Sequence, residues 1–545
     1  MKDGVFTSVV PGTTVRLAAG VVMLALAACA PPEEAASGAE EVSLEALETL
    51  ETVAERSGYR ETSRYADVMS FLRTVADASP RVGLTTFGYT LEGRALPLAV
   101  VGADVTPEAV RSSGKTRVYI QANIHGGEVE GKEASQMLLR ALARGEHAEW
   151  DESMVLLFAP IYNADGNERV SLANRTEQLG PVGGVGQRTN AQGYDLNRDH
   201  MKLESPEARS VVGLFGDYDP HVVIDLHTTN GTHHGYQLTY SPPLHPATPG
   251  PIVDLLRGQL LPDVTSAVKA RDGFDFYYYG NIPDEGEPGW YTFDHRPRFG
   301  NNYAGLRNRL AILSEAYSYI PFEERVTATY RFVEEILDWL HAHPGAAQEA
   351  TGQAEQAAVI GEELTTRARF ARSPQPVEIL LAEVVPERHP FTGRPMLRRA
   401  GESVPQSMYE YGTFEATDVE RVPDRYYIPA ELGGVLERLA AHGIRTSVLD
   451  ASADLQIEEF LVSRSTMAEE EFQGHRERTL EGAYRSVRRT LPAGTVVVSV
   501  DQPLGRLAFM LLEPRSDDGL ANWNVLDEVL KAADVYPIVR RANEP

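Results

Sequence analysis

Four short stretches, far apart in the chain, carry side chains that together could hold a metal ion and break a bond beside it. They are His125-Gly126-Gly127-Glu128, Asp195-Leu196-Asn197-Arg198, His227 and Glu315. Two imidazoles and a carboxylate hold zinc while leaving a position open, a free carboxylate works on water there, and a guanidinium receives an anion. Each piece also has an ordinary reading. His125 and Glu128 could be a satisfied loop histidine and a surface glutamate. His227 ends the run Val223-Ile224-Asp225-Leu226, where a histidine often serves only as a structural hydrogen-bonder. Asp195 is either the carboxylate that orients a ligating imidazole, His125 being the expected one, or a turn aspartate. Glu315 closes Leu310-Ala311-Ile312-Leu313-Ser314, and a charge there is costly unless it is functional or paired with Arg307 or Arg309. The combination, in this order, favours the metal reading over its parts.

These residues need a frame, and the hydrophobic pattern supplies one. Apolar runs predict strands at Val118–Ile124, Val155–Ile161, His221–Leu226 and Leu310–Leu313. Between and after them, helical spacing predicts helices at Glu130–Arg144, Pro206–Phe215 and Arg325–His341. Earlier, helical pattern up to Ala78 precedes strands around Val82–Phe87 and Leu96–Val101. The expected class is α/β, a mixed and mostly parallel sheet sandwiched by helices. Active sites of such sheets lie beyond the carboxyl ends of the strands. His125, His227 and Glu315 are each expected just after a strand.

The series of motifs resembles the zinc metallocarboxypeptidase family, over about Tyr59 to His343. The resemblance includes the Glu92-Gly93-Arg94 turn, His125 to Glu128, Asn163-Ala164-Asp165-Gly166, Gly193-Tyr194-Asp195-Leu196-Asn197-Arg198, His227 and Glu315. It implies one zinc ion on His125, Glu128 and His227, with Glu315 as the catalytic glutamate. Asn197 and Arg198 match the pair that receives a substrate's terminal carboxylate. Arg188 matches the arginine that stabilises the oxyanion, with Arg175 in the same variable loop as the alternative. The implied activity is hydrolysis of the last amide bond of a peptide. The same centre could instead act on cell-wall (murein) peptides or acylated amino acids, or the pocket could bind peptides without turnover. The family's substrate-capping tyrosine has no clear counterpart; Tyr291 and Tyr303 are candidates. Gly231 to Pro249, with His233 and His234, reads as an insertion near the site. Arg296 and Arg298 either line a pocket for an acidic side chain or lie on the surface.

With 545 residues the chain exceeds one ordinary core. The expected organisation is a signal peptide over 1–29, a tether over 30–56 and a catalytic domain over 57–345. A linker follows over 346–370, then a C-terminal accessory α+β domain over 371–545. In the last of these, strands are expected at Val377–Val385 and Thr495–Val500, and a helix at Glu431–His442. Lys2 and Arg16 precede an apolar stretch, Leu17 to Ala28, shorter than the roughly 18–20 residues a bilayer span needs. It ends in Leu26-Ala27-Ala28-Cys29, which looks like a bacterial lipobox. Cys29 is therefore the expected lipidation site, giving an exported protein held on a bacterial membrane by its anchor alone. It is the single cysteine, so no internal disulfide forms. A net charge of −27 argues against nucleic acid as a partner. No Gly-x-Ser-x-Gly elbow is present, and the Gly183–Gly186 cluster lacks dinucleotide-binding spacing. Oligomeric state is not legible.

Overall fold

The computed structural model describes residues 45–229, 231–530 and 534–541. The export signal, lipobox and Cys29 lie outside the described residues. Residues 43–545 form one compact unit. At its centre is a sheet of eight strands. In chain order these are β1 (Val82–Tyr89), β2 (Ala95–Val101), β3 (Thr116–Ala122), β4 (Met154–Ala159), β5 (Val222–Thr229), β6 (Leu238–Ser241), β7 (Phe276–Tyr278) and β8 (Leu310–Tyr317). Across the sheet they run β1-β2-β4-β3-β5-β8-β6-β7. The middle pairs β4–β3–β5–β8 are parallel, and β1, β2 and β6 make the antiparallel contacts.

Side chains alternate across a strand, and here the alternation divides structure from chemistry. Val118, Ile120 and Ala122 of β3, with Val222, Ile224 and Leu226 of β5, face one layer. There they share a core with Leu138, Leu139 and Leu142 of α1 (Glu130–Ala143) and Phe332, Ile336 and Leu337 of α2 (Phe322–Ala342). The opposite face holds Tyr119, Val223 and Ala311. They pack with Val211, Val212 and Phe215 of the helix Pro206–Tyr218 and with Tyr303 and Leu306. Each fully buried Leu, Ile or Phe stabilises by about 1.5–3 kcal/mol relative to exposure. The second face also carries Gln121, Asp225, His227, Leu313 and Glu315, so the chemistry emerges where that layer runs out.

His227 and Glu315 are inside their strands rather than just after them, as the apolar runs had suggested. β8 continues to Tyr317 because β6, absent from the expected strands, pairs along it, with Thr239 opposite Glu315. The ladder thus carries on past the charge. His125 does follow its strand.

The expected linker contains a helix, Ala346–Gln356, whose small residues Ala347, Ala350 and Ala354 are buried. Beyond it a long hairpin, β9 (Val377–Arg388) and β10 (Pro395–Met408), reaches back over the sheet's carboxyl end. The rest is built on a six-stranded sheet that includes Ala453–Met467 and Arg478–Leu491, with the helices Gly433–Ala441 and Gly505–Leu512. Its apolar residues, Leu507 to Leu512 and Trp523 among them, are continuous with the core behind the Pro206–Tyr218 helix. Among the described residues no helix is long and apolar enough to cross a membrane.

Ile224, on a central strand with no exposure, is a direct test of this packing. Ile224→Ala is expected to lower unfolding free energy by about 2–5 kcal/mol, read from the urea midpoint at constant slope.

Candidate metal centre

The loop after β3 is shaped before any ion enters. Asn123, buried at φ +63°, donates from Nδ2 to the carbonyls of His125 (3.2 Å) and Glu128 (3.0 Å). Asn163 Nδ2 spans from Ile124 O to Arg188 O, 3.1 Å to each, which gives the Asn-Ala-Asp-Gly stretch its part in the site. A β-carbon on Gly126 would come within 2.6 Å of Gln187 O, and one on Gly127 within 2.8 Å of Gly186 O. Only glycine lets these backbones approach so closely.

His125, Glu128 and His227 then converge. One ligand atom from each lies within 4.8 Å of the others, and all three residues are buried. His125 Nδ1 stands 3.0 Å from Glu128 Oε1 yet makes no hydrogen bond. That is the relation of two donor atoms addressing a third centre. His227 Nδ1 is 3.0 Å from Glu128 Oε2. Both rings turn their other nitrogen to a carboxylate: His125 Nε2 lies 3.0 Å from Asp195 Oδ1, and His227 Nε2 lies 2.8 Å from Asp225 Oδ2. Such pairing sets the tautomer and leaves Nδ1 for a metal. Two neutral imidazoles and a carboxylate with an open side suit zinc.

The electrostatics follow from burial opposed by neighbours. Burial works against charge on Glu128, but His125, His227 and Arg175 hold its carboxyl well below the usual range. Burial likewise opposes Asp195, and His125, Arg188 and Arg198 overcome it. Asp225 is lowered in the same way by His227 and Gln121. For His227, burial disfavours the imidazolium, while Asp225 and Glu128 raise it well above the ordinary value. Glu315 goes the other way. Burial, reinforced by Glu128, pushes it to about 7 against the pull of the two histidines and Arg175. Its Oε2 has no hydrogen-bond partner. Neither Arg307 nor Arg309 pairs with it: Arg307 binds Tyr303 and His442, and Arg309 binds Asp219 and Glu355. Glu315 sits directly beside His227 in the parallel ladder.

The pocket in front of these groups has a volume of about 130 Å³ and is lined also by Arg188, Asn197, Arg198, Tyr279, Phe293 and Phe299. Asn197 Oδ1 accepts from Gly300 N at 2.8 Å. The Arg198 guanidinium lies 3.8 Å over the Phe299 ring and donates to Asn197 O at 2.6 Å. Among the described residues it has no carboxylate partner. Arg188 Nε and Nη2 reach Asp195 Oδ2 at 2.9 and 2.8 Å, with half the side chain exposed to the pocket. Arg175 does not face the opening. Its Nη1 holds Glu128 Oε1 at 3.1 Å while Nη2 bonds Thr228 O at 2.8 Å and Nε bonds Gln178 at 2.6 Å.

Other candidates fall elsewhere. Tyr303 is fully buried against His442 (2.8 Å), and Tyr291 stacks on Tyr411. His234 is buried on Tyr317 at 3.9 Å between centroids. Arg298 is buried against Asp518 and Glu477, and Arg296 is bound to Asp294. Asp225, Tyr279 and Gln473 were missed. Asp225 had a signal, since it precedes His227 by two on one strand and must share its face. Tyr279 had none that separated it from Tyr277 and Tyr278. Nor had Gln473, which accepts from Asp195 N at 2.9 Å across 278 residues of chain.

Residues 68–243 match a family described as zinc carboxypeptidase. Carboxypeptidase 2 of Trichophyton rubrum is 25% identical over 490 residues, covering 86% of this chain and 85% of that protein. Carboxypeptidase 2 of Trichophyton tonsurans is 25% identical over 468 residues, 82% of this chain and 81% of the relative. Among solved structures, a metallo-carboxypeptidase from Burkholderia cenocepacia aligns with TM-score 0.39 and 18% identity, covering 51% of this chain and 69% of that one. Carboxypeptidase A from Helicoverpa armigera aligns with TM-score 0.41 and 15% identity, over 58% and 81%.

If Asp225 orients His227, Asp225→Asn should weaken zinc binding about 10–100-fold while leaving the fold intact. Competition with a chromogenic chelator measures the first and circular dichroism the second.

Proposed function

We propose that this chain, a zinc metallopeptidase whose residues 68–243 are a zinc carboxypeptidase domain, removes single residues from peptides with a free carboxyl end. The observation that carries the reading is the Arg198 guanidinium, without a carboxylate partner among the described residues, in the same small pocket as the His125–Glu128–His227 donor set and Glu315. A planar guanidinium takes a carboxylate in a bidentate grip. With Asn197 beside it, Arg198 would bind the terminal carboxylate and so bring the last amide to the metal. When bound, zinc supplies Lewis acidity, polarising the amide carbonyl and acidifying water. Glu315 would take the proton from the attacking water and return it to the leaving amine nitrogen. A carboxyl held up near neutrality by burial is suited to both transfers. Arg188 is close enough to Glu128, 3.5 Å, to address the oxyanion of the tetrahedral adduct.

Phe293, Phe299 and Leu313 give the pocket an apolar wall. Arg296 and Arg298 are already neutralised by Asp294, Asp518 and Glu477. An apolar or aromatic last residue is therefore preferred over an acidic one.

Mass spectrometry of a peptide set, each made with a free and an amidated end, tests the reading. Zinc-dependent loss of one residue from free ends alone is expected; cleavage of amidated ends at equal rate would refute it. Glu315→Gln should keep zinc and lose turnover by at least about 10²-fold. Arg198→Ala should lower kcat/KM on free acids by about 10²-fold or more and leave amidated peptides untouched.

The Leu26-Ala27-Ala28-Cys29 sequence supports export and lipid anchoring of this peptidase on a bacterial membrane. Cys29→Ser should move it from the membrane to the soluble fraction, and fatty-acid labelling of that variant would disprove the anchor.

A further inference from the structure

A pocket of about 130 Å³ holds little more than one side chain, so a peptide whose last residue fills it must carry the rest of its chain outward. A far larger cleft, about 1270 Å³, begins on the other side of Tyr279. The two share a partition. Tyr279 lines the pocket, and Asn281, which lines the cleft, donates from Nδ2 to the Tyr279 hydroxyl at 2.7 Å. Asn281 Oδ1 in turn accepts from Thr232 N, another cleft residue, at 3.2 Å.

The far wall is the β9–β10 hairpin, and it is fixed in place. Gly235 N donates to Leu380 O at 2.8 Å, Leu380 N to the Tyr236 hydroxyl at 3.0 Å, and Arg399 N to Tyr319 O at 2.7 Å. Where the hairpin faces the cleft its ladder is broken. Leu381 pairs with Val404 but Glu383 with Ala400, so Gly401 to Ser403 bulge out, with Gly401 at φ +70°. Bulges beside active sites commonly re-aim side chains. Here Asp284, Glu383 and Glu402 line the cleft, all exposed, and among the described residues none is in an ion pair and no lysine or arginine lines the cleft.

We infer that this cleft receives the residues upstream of the cleaved bond and selects peptides that carry lysine or arginine there. The inference rests on the carboxypeptidase reading. Each charge pair formed in so open a cleft is individually weak and sensitive to salt, so the selection is by several contacts along the chain and appears mainly in KM.

The test compares free-acid peptides with the same last two residues and either Lys or Glu at the two positions before them. A blocked dipeptide, which reaches only the metal pocket, serves as reference. At low ionic strength (roughly 0.02 M) the Lys peptide should show about 3–10-fold higher kcat/KM, and the ratio should shrink at roughly 0.5 M salt. Glu383→Lys with Glu402→Lys should reverse the preference, and the milder pair Glu383→Gln with Glu402→Gln should abolish it. Dipeptide hydrolysis should be unchanged in both, which also certifies that the variants fold. A dipeptide that is cleaved, with no preference in the native enzyme or one that survives in the variants, overturns the inference and spares the carboxypeptidase reading. Failure to cleave either kind of substrate removes both together.

Discussion

Charge without water is the constraint on which the rest of this structure turns. Glu128, Asp195, Asp225 and Glu315 converge at the carboxyl end of the sheet, where burial taxes every one of them. Arg175 and Arg188 answer two of those charges at hydrogen-bond range. His227 answers Asp225 at 2.8 Å, and burial pushes Glu315 up to about 7. Arg198 adds to the field that keeps Asp195 ionised, and among the described residues no carboxylate pairs with its guanidinium. A zinc ion held by His125, Glu128 and His227 would complete the electrostatics of this pocket. This is why the same side chains look expensive as structure and economical as a site.

The geometry that makes this possible is the register of parallel strands. Gln121 lies beside Asp225, and His227 beside Glu315, on one face of three adjoining strands. The opposite face is mostly apolar, with Val118, Ile120, Ile224, Leu226 and Ile312 on it, so a helix layer can lock the strands from the side away from His227 and Glu315. The metal loop is the one ligand source that is not a strand, and it is held by side chains of two asparagines and by backbones that tolerate no β-carbon.

Much of this was legible beforehand because it rests on local pattern. Continuous apolar runs mark buried parallel strands, and β3, β4, β5 and the start of β8 are such runs. The His125–Glu128 and Asp195–Arg198 motifs are short and contiguous, so they too can be read directly. β6 and β7 were not expected: four and three residues long, they owe their strand character to pairing at the sheet's edge. In the β9–β10 hairpin the apolar run Val377–Val385 marks the first strand, with Ile379 and Ala382 buried, whereas the mostly exposed Pro395–Met408 has no regular buried face to impose a period of two. Tyr279 and Gln473 belong to the site by tertiary proximity alone. The arginines at 296 and 298, whose sequence position left a pocket role open, are drawn instead into pairs with Asp294 and Asp518.

The side chain of Gln473 closes the turn before Asn197 and Arg198 from nearly three hundred residues away, and the core behind the Pro206–Tyr218 helix is completed by Leu507 to Leu512. The later half of the chain is therefore not a passenger that recombination could exchange for another module. A truncated gene encoding only the motif-bearing half would leave an apolar helix face wet and the turn at Asp195 without its contact to Gln473. The two halves fold as a single part, and a change in the turn at residue 473 reaches the backbone at residue 195.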